Sequence, residues 1–376
     1  MKAIPILDLK AQLASYRSQA LAAMTEVMDS QMFILGQKVK DFEQNLAQFV
    51  GVKESVGVSS GTDALLIALM ALEIQPGDEV IVPAMSFFAT AGVVSRLGAK
   101  PVFVDVDPQT FNTTEARVRA AITDKTKAII PVHLFGQVCD LGTLYQEDRS
   151  QRPAIIEDAA QSLGAQLNQK HTGHLGDVCC TSFFPSKNLG GFGDGGAVYG
   201  NDEELIERMR ILRVHGSKPK YHHHWVGGNF RLDALQAAIL QIKLPFLDQW
   251  AEARRQNAHH YHQCFTQSQA YQEGVLIPPY QATDCTHVFN QFVIRTPHRD
   301  ALKQYLAEHK IGTMIYYPSP LHTQPCFKEL GYKAGDFPHA EKACQEVLAL
   351  PVYPELSTEQ VEYISHTVLQ FFKEHI

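Results

Sequence analysis

The chain has 376 residues, of which 45% are hydrophobic and 19% charged, a composition that indicates a folded globular protein and excludes disordered and collagen-like classes. Its 33 Lys and Arg against 40 Asp and Glu give a net charge of −7, so non-specific binding to nucleic acid is not expected. At roughly 100–200 residues per domain, this length predicts about two domains with a large core.

The cysteines and the N-terminal segment indicate the compartment. Seven cysteines, an odd number without a C-x-x-C pair, indicate reduced thiols in a chain too long to need disulfides for stability. The first residues lack the continuous apolar region and small-residue cleavage site of a signal peptide, and no run of 18 apolar residues follows. We therefore expect a cytoplasmic protein that neither is secreted nor spans a membrane.

Short apolar runs alternate with helical patterns through the first two thirds of the chain, which is typical of an α/β fold. A helix is predicted over 63–72, where apolar residues recur at helical spacing after a Ser-Gly-Thr-Asp start. Four runs are apolar almost throughout rather than alternating: 79–83, 100–105, 128–133 and 154–158. Strands buried on both faces have this pattern, so we predict a parallel sheet with helices on both sides.

The pattern changes after Arg231, where a helix is predicted over 232–244, interrupted near Pro245 and resumed over 250–265. We place the domain junction here, with a large domain over 1–245 and a small α+β domain over 246–376. The second part contains a strand-like run at 288–294, a helical pattern over 299–309, and a final amphipathic helix. Ser-Thr-Glu-Gln at 357–360 fits a capping box that begins this last helix.

The first segment with possible chemistry is Ser-Ser-Gly-Thr-Asp-Ala-Leu at 59–65, a turn of small residues that leads into a helix. Backbone N–H groups at a helix start, assisted by Ser and Thr hydroxyls, can bind phosphate. An ordinary helix cap explains the same residues, and the motif alone does not decide between them.

The second segment is Ile-Ile-Glu-Asp-Ala-Ala-Gln at 155–161, where an apolar strand ends in two carboxylates. Ligands of doubly wound sheets bind at this edge, and a carboxylate buried there requires a cationic or proton-donating partner. Metal binding and helix capping are the alternatives. No suitably spaced His or second acidic cluster accompanies the segment, which disfavours a metal.

The third segment contains Lys187 between aromatic residues and a glycine-rich stretch. A lysine desolvated in such a pocket becomes the neutral amine that forms Schiff bases, although a surface lysine is the commoner case. Gly191, Gly193 and Gly196 also match G-x-G-x-x-G. A dinucleotide site needs a strand before and a helix after this motif, whereas the preceding residues are not a clear strand and Ala-Val-Tyr-Gly at 197–200 is strand-like, so we reject it.

Together these segments provide a phosphate-binding turn, an acid at a strand end and a Schiff-base lysine. Pyridoxal 5′-phosphate requires this combination: an anchor for its phosphate, an anion opposite its ring nitrogen, and an amine for its aldehyde. The three segments together are therefore much more specific than each one alone.

The sequence resembles the nucleotide-sugar aminotransferases of the DegT/DnrJ type along nearly its whole length. The segments that carry this resemblance are SSGTDALLIAL, GDEVIVPAMSFFATA, PVFVDVDPQTFN, AIIPVHLFGQ, IIEDAAQSLGA, SFFPSKNLGGFGDGGAV, RVHGSKPKYHH, GGNFRLDALQAAIL and YYPSPLHTQP. The resemblance implies an α/β fold of the aspartate-aminotransferase-like type I. Its large domain has a mostly parallel seven-stranded sheet that binds pyridoxal phosphate, and its small domain is C-terminal and α+β.

The resemblance also implies roles for individual residues. Lys187 would carry the cofactor, and Asp158 would pair with its ring nitrogen. The other cofactor contacts would be the phosphate ligands Gly61, Thr62 and Ser182, the ring-stacking Phe87, the hydroxyl neighbour Gln161, and Asn229, which would reach the phosphate of a neighbouring subunit. A homodimer with composite active sites follows from that last assignment.

The substrate contacts are implied less directly. Lys220, Tyr221 and His222 would meet the diphosphate or sugar, with Tyr317 and His322 as further candidates for the sugar pocket, although the 220–222 loop could instead serve only to close a dimer interface. Phe184 stands where many relatives have Tyr, which removes a hydroxyl that could orient substrate. Three consecutive histidines, 222–224, suggest a metal site, but successive residues rarely converge on one ion, so we expect none.

The implied reaction is a ping-pong transamination that moves an amino group from glutamate to a nucleotide-linked keto sugar. The first choice of acceptor is a dTDP-linked 3-keto-6-deoxyhexose, and the second is a UDP-linked 4-keto sugar. A pyridoxal-phosphate sugar dehydratase is an alternative that Lys187 argues against, because relatives with that activity replace the lysine. A non-enzymatic regulatory protein of the same fold is another.

Overall fold

The computed structural model describes residues 3–375, in which the central element is a seven-stranded sheet. The strands of the described chain are β1 Glu54–Val58, β2 Glu79–Pro83, β3 Lys100–Val104, β4 Thr126–Ile129, β5 Ala154–Asp158, β6 Gln166–Leu167, β7 Lys170–His171, β8 Val178–Ser182, β9 Gly196–Gly200, β10 Cys285–Thr286, β11 Phe292–Arg295 and β12 Val347–Leu350. The central sheet has the order β1-β9-β8-β5-β4-β2-β3.

The sheet is mostly parallel, as the resemblance implied. Every neighbouring pair from β8 to β3 runs parallel, and only β9 runs antiparallel to its two neighbours, β1 and β8. Strands β2, β5 and β9 are buried at every position, which explains why β2 and β5 have apolar rather than alternating sequences. The parallel strands bring their carboxyl ends, including those of β5 and β8, to one edge.

The helices cover both faces of this sheet and build the C-terminal part. They are α1 Leu9–Ala14, α2 Arg17–Ser30, α3 Gln37–Val50, α4 Gly61–Ala71, α5 Ala89–Arg96, α6 Glu115–Ala121, α7 Glu203–Leu212, α8 Ala234–Lys243, α9 Leu247–Thr266, α10 Gln269–Gln272, α11 Arg299–Glu308, α12 Pro338–Glu346 and α13 Thr358–His375. Between α8 and α9 the chain makes one 3₁₀ turn over Leu244–Phe246 at Pro245, where an interruption is predicted.

The last helix confirms the predicted capping box. The Ser357 N–H donates to Gln360 Oε1 at 3.0 Å, and the Gln360 N–H donates to Ser357 Oγ at 3.3 Å. This reciprocal pair satisfies two of the N–H groups that a helix start leaves without intrahelical partners. The cap therefore fixes where α13 begins.

A second hydrophobic core forms around α9, α11, α13 and the β11–β12 pair. Ile4 belongs to this core and pairs with Ile311, so the start of the chain packs with its C-terminal part. The division into domains 1–245 and 246–376 stays a prediction, although Ile4 packs in the second core.

Two expectations about the whole chain concern thiols and membranes. The seven cysteines carry free thiols. Among the helices of residues 3–375, none combines the length and apolar character needed to cross a bilayer.

Candidate active site

A cavity of about 470 Å³ opens at the carboxyl edge of the sheet, between β5, β8 and the start of α4. Ten of its lining residues come from the predicted segments and their neighbours: Ser60, Gly61, Thr62, Phe87, Asp158, Gln161, Ser182, Phe184, Lys187 and Tyr317. The first and third segments are nearly 130 residues apart along the chain. All three segments nevertheless meet in this one cavity, as expected for ligand sites of such sheets.

Lys187 extends into this cavity from the turn after β8. Its backbone N–H donates to Phe184 O at 2.8 Å, and the turn closes where the Gly191 N–H donates to Phe183 O at 2.8 Å. Burial lowers the pKa of the Lys187 amine to about 8, while the negative charge of Asp158 opposes that shift. The amine is therefore partly neutral near physiological pH, which a Schiff-base lysine requires.

A second lysine supports the turn that carries Lys187. Lys243 is buried, and its ammonium donates a hydrogen bond to the carbonyl oxygen of Gly190, three residues after Lys187. The aromatic rings of Tyr16 and Trp250 lie 5.5 and 5.7 Å from the same nitrogen. Cation–π contacts and one charge-assisted hydrogen bond thus hold the lysine-bearing turn in place.

Asp158 is buried at the end of β5 and accepts two hydrogen bonds. Thr90 Oγ1 donates to its Oδ2 at 2.8 Å, and the Ala160 N–H donates to its Oδ1 at 3.2 Å. Because Thr90 uses its only hydroxyl proton here, Ser86, 2.8 Å away, donates to Thr90. Burial raises the pKa of Asp158, whereas the two hydrogen bonds and Lys187 favour its charged form.

Glu157 points to the opposite face of β5, as alternation along a strand requires. Its Oε2 lies 3.0 Å from His133 Nε2, and its Oε1 accepts from three backbone N–H groups between residues 173 and 176. The Cys139 N–H donates to His133 Nδ1, which places the ring proton on Nε2. Of the two carboxylates at this strand end, only Asp158 belongs to the cavity, and Glu157 anchors a turn.

The start of α4 forms the opposite wall. Ser60 caps the helix by accepting from the Asp63 N–H at 3.0 Å, whereas the N–H groups of Gly61 and Thr62 have no acceptor within residues 3–375. A Cβ on Gly61 would lie 2.7 Å from Ser182 Cβ, so only glycine permits this approach. Two free backbone donors beside the Ser182 hydroxyl are suited to a phosphate.

Gln161 and Tyr317 join the cavity to the C-terminal part of the chain. Gln161 Oε1 accepts from the Phe135 N–H at 2.7 Å, and Gln161 Nε2 donates to the Tyr317 hydroxyl at 3.0 Å. The Phe87 ring is 56% exposed on the cavity wall, 6.3 Å from the Tyr317 ring. Burial raises the pKa of Tyr317, so its hydroxyl keeps its proton.

These residues fit pyridoxal phosphate. The free N–H groups at α4 would hold its phosphate, buried Asp158 would face its ring nitrogen, and the Lys187 amine would hold its aldehyde carbon. Phe87 presents a flat apolar surface of the kind that stacks on an aromatic ring. The cavity therefore defines a site for a cofactor that uses all three groups.

Of the five predicted residues that lie outside this cavity in the single chain, four belong to one exposed segment. Lys220, Tyr221 and His222 are on an exposed loop, and Asn229, also exposed, pairs through its backbone with Val214 at the base of that loop. The Tyr221 and Val226 side chains are 81% and 91% exposed. None of them contributes to the cavity wall of its own chain.

His322, predicted as a further sugar-pocket residue, also lies outside this cavity in the single chain, and its role stays a prediction. Its side chain is buried outside the cavity, 3.1 Å from Glu341 Oε1 and packed edge-on against Phe337.

Two of the three histidines at 222–224 contact different backbone carbonyl groups. His223 Nδ1 contacts His215 O at 2.9 Å, and His224 Nε2 contacts Lys218 O at 2.6 Å. Across the described part of the chain, no group of three His, Cys, Asp or Glu side chains is arranged to hold a metal ion.

The glycine-rich stretch links β8 to β9 and leads into a strand that begins at Gly196, not into a helix. The residues directly before Gly191 do not form a strand, because β8 ends at Ser182. The dinucleotide motif therefore lacks both of its structural requirements. Sequence reasoning missed Thr90, Ser86 and Lys243, which support the site residues from distant elements.

The comparisons with known proteins agree with this site. Residues 15–369 match the DegT/DnrJ/EryC1/StrS aminotransferase family. The chain is 48% identical to a pleiotropic regulatory protein of Geobacillus stearothermophilus, with 98% of this chain and 99% of the relative covered. It is 44% identical to the UDP-N-acetyl-3-dehydro-alpha-D-glucosamine 3-aminotransferase of Acidithiobacillus ferrooxidans, with 97% of each chain covered.

A solved structure is similar throughout its length. The S. venezuelae protein DesV, crystallised in complex with a ketimine intermediate, has a TM-score of 0.95 and 38% identity, and each chain is fully covered. Site and fold together define a pyridoxal-phosphate-dependent aminotransferase of fold type I. The chain belongs to the DegT/DnrJ/EryC1/StrS aminotransferase family.

Proposed function

We propose that this aminotransferase moves an amino group from glutamate to a nucleotide-linked keto sugar. The observation that carries the proposal is the meeting of Lys187, Asp158 and the free N–H groups of α4 in one cavity. The choice of acceptor class is supported by relatives whose names specify UDP-linked and dTDP-linked amino sugars. Glutamate as donor rests on the resemblance of the sequence to this family.

Bound at Lys187, pyridoxal phosphate supplies an aldehyde carbon that exchanges amino groups and a ring that accepts electrons. With a pKa of about 8, about one quarter of the Lys187 amines are neutral at pH 7.5, against about one in a thousand for an ordinary lysine. When it is not bonded to the cofactor, this amine would take a proton from the donor's α-carbon and deliver it to the cofactor's aldehyde carbon. Asp158 would keep the ring nitrogen protonated, and the hydrogen bond from Thr90 holds that carboxylate in place.

We propose that amination occurs at C3 of the sugar. Relatives at 44%, 41% and 40% identity are named for 3-amino products or 3-dehydro substrates, on both UDP and dTDP. A dTDP-linked 3-keto-6-deoxyhexose remains the first acceptor to test, supported by the relatives that are named for dTDP-linked amino sugars. The UDP-linked 3-dehydro sugar named for the relative at 44% identity is the second candidate, and a UDP-linked 4-keto sugar is the third.

We also propose a homodimer in which each chain completes its partner's site. In support, Asn229 and the 220–222 loop are exposed and lie outside the cavity of their own chain, although their segments resemble cofactor- and substrate-binding segments. The same loop leaves Val226 91% exposed, an arrangement that favours burial against another chain. A partner could then place Lys220 near the diphosphate.

A regulatory role without catalysis is the main competing hypothesis, because the relative at 48% identity is named a pleiotropic regulatory protein. A purely regulatory protein has no use for a lysine with a lowered pKa facing a hydrogen-bonded buried acid. The intact Lys187 likewise disfavours a sugar dehydratase. An aminotransferase whose amino-sugar product regulates a pathway would fit both the regulatory name of this relative and the aminotransferase names of the other relatives.

The test is a glutamate-dependent assay against dTDP- and UDP-linked 3-keto and 4-keto sugars, read by mass spectrometry. We expect a gain of the amino group on a 3-keto acceptor. Binding competition then ranks the nucleotides: stronger displacement by UDP-sugars than by dTDP-sugars would reject the first acceptor. Product from 4-keto sugars alone would reject C3.

A further inference from the structure

A second, smaller cavity of about 150 Å³ adjoins the cofactor cavity. Three residues line both, namely Ser186, Gln291 and Tyr316, and Ser186 directly precedes Lys187. The remaining wall is mainly aliphatic, with Arg254 and Asn290 as its other polar residues. The small cavity is thus a side chamber of the active site, with room for a short polar arm of a bound molecule.

Arg254 provides the charge in this side chamber. Its side chain reaches the wall from α9 and is 4% exposed. Only one guanidinium nitrogen, Nη1, has acceptors within residues 3–375: it donates to Val352 O at 3.0 Å and to Phe289 O at 3.4 Å. These two bonds fix the plane of the guanidinium, while Nε and Nη2 remain available beside the chamber.

No carboxylate oxygen within residues 3–375 lies within 4.0 Å of the Arg254 guanidinium nitrogens. Glu355, the acid that acts on Arg254 electrostatically, lies beyond that distance. Burial lowers the pKa of Arg254 to about 10 and Glu355 opposes that shift, so the group is still a cation at neutral pH. A buried cation without a partner is costly, and an incoming anion would offset that cost.

The side-chain amides of Asn290 and Gln291 present their N–H donors, and not their oxygens, to open space. The side-chain oxygens of Asn290 and Gln291 are fully enclosed and have no partner, whereas their amide nitrogens are not among the enclosed atoms. Ser186 and Tyr316, which each carry a hydroxyl, line the same wall. A chamber whose lining residues carry one guanidinium, two amides and two hydroxyls matches the needs of a carboxylate, which only accepts hydrogen bonds.

We propose that this side chamber binds a carboxylate of the amino donor, with Arg254 as its principal partner. The inference rests on the proposed function, because it assigns a subsite to the donor of that reaction. It explains how a site whose cofactor cavity must hold a nucleotide-linked sugar can also select an amino acid. The chamber admits the carboxylate arm of glutamate but excludes the far larger sugar.

The test separates donor binding from the rest of the reaction. Glutarate and 2-oxoglutarate binding to the pyridoxal-phosphate-loaded enzyme would be measured by calorimetry for wild type, Arg254→Met and Arg254→Lys. The matched control is Arg255→Met, since Arg255 is adjacent on α9 but pairs with Glu252 on the surface. We expect Arg254→Met to weaken binding by about 10- to 100-fold, the usual range for a charged hydrogen-bond partner.

Donor half-reactions show which carboxylate is bound. In the Arg254 variants, slower amination by both alanine and glutamate would indicate the α-carboxylate, and slower amination by glutamate alone the side-chain carboxylate. The reaction with a carboxylate-free amine should be unchanged. Arg254→Lys keeps the charge and should recover part of the affinity if Arg254→Met fails to fold.

Equal diacid binding by wild type and folded Arg254 variants would overturn the inference, even if the enzyme transaminates sugars. Conversely, Arg254-dependent diacid binding in an enzyme that aminates no sugar would support the subsite and reject the proposed acceptor. Equal losses in Arg254→Met and Arg255→Met would also overturn it, because the effect would then belong to α9 and not to the chamber.

Discussion

Replacing Asp158 by Asn removes the buried charge at the end of β5 with little change in shape. The amide oxygen can still accept from Thr90 or from the Ala160 N–H, but one of these two hydrogen bonds is lost. That loss costs about 1 kcal/mol of folding free energy. It is offset in part because a buried charge is removed, so we expect urea unfolding to shift by no more than about 1–2 kcal/mol.

The effect on catalysis should be much larger than the effect on stability. Without a carboxylate the ring nitrogen loses the group that stabilises its proton, and removing one fixed electrostatic partner typically costs about 10²–10³ in rate. The assay is the single-turnover rate of the glutamate half-reaction, followed by the cofactor's absorbance. Asp124→Asn, which removes an exposed carboxylate in a turn before β4, is the matched control.

Asp158→Asn should also lower the pKa of Lys187 further, because Asp158 is the charge that opposes its lowering. A variant that folds normally and turns over within about threefold of wild type, well inside the 10²-fold expected loss, would refute the assigned role of Asp158. A loss shared by Asp124→Asn would show that net charge, and not this position, matters.

Three further predictions concern Lys187, the hydrogen bond from Thr90 to Asp158, and the dimer. Borohydride reduction and peptide mapping should place the pyridoxyl group on Lys187, and label on another lysine would reject the assignment; in the cofactor-free chain, reactivity of this amine toward acetylation should rise with pH and level off above about 8 as the proton is lost. Thr90→Val should slow the half-reaction by about 10-fold or more while Thr90→Ser retains most activity, since a charge-assisted bond is worth about 1.5–3 kcal/mol; equal rates would remove Thr90 from the site. Inactive Lys187→Ala and Asn229→Ala chains should regain activity when mixed if sites are composite, and an active monomer in sedimentation would contradict the dimer.

Local sequence patterns predicted the strands that are buried on both faces. β2 and β5 were located closely because each contains a short run of β-branched residues, and α13 because its capping box is local. β8 was missed because Val-Cys-Cys-Thr-Ser has a weak strand pattern and is held by its neighbours β5 and β9. Its identity depends on pairing with residues distant in sequence.

The site residues likewise divide into those that the local sequence marks and those that depend on contacts between distant residues. Gly61, Asp158 and Lys187 each lie in a recognisable segment, so their meeting could be expected from the carboxyl edge of a parallel sheet. Thr90 could not be found this way, because it is 68 positions from Asp158 and nothing around it marks a hydrogen-bond donor. The burial of His322 could not be found this way either, because its contact with Glu341 joins positions 19 residues apart.

The most direct test of the account uses ¹⁵N-labelled glutamate with wild type and Lys187→Ala, each loaded with pyridoxal phosphate and given the panel of nucleotide-linked keto sugars. The account predicts that wild type incorporates one ¹⁵N atom into a 3-keto sugar, and that Lys187→Ala incorporates none although it still binds the cofactor. Label transfer by Lys187→Ala at a rate near that of wild type would contradict the central claim. So would a folded, cofactor-loaded wild type that passes label to none of the sugars.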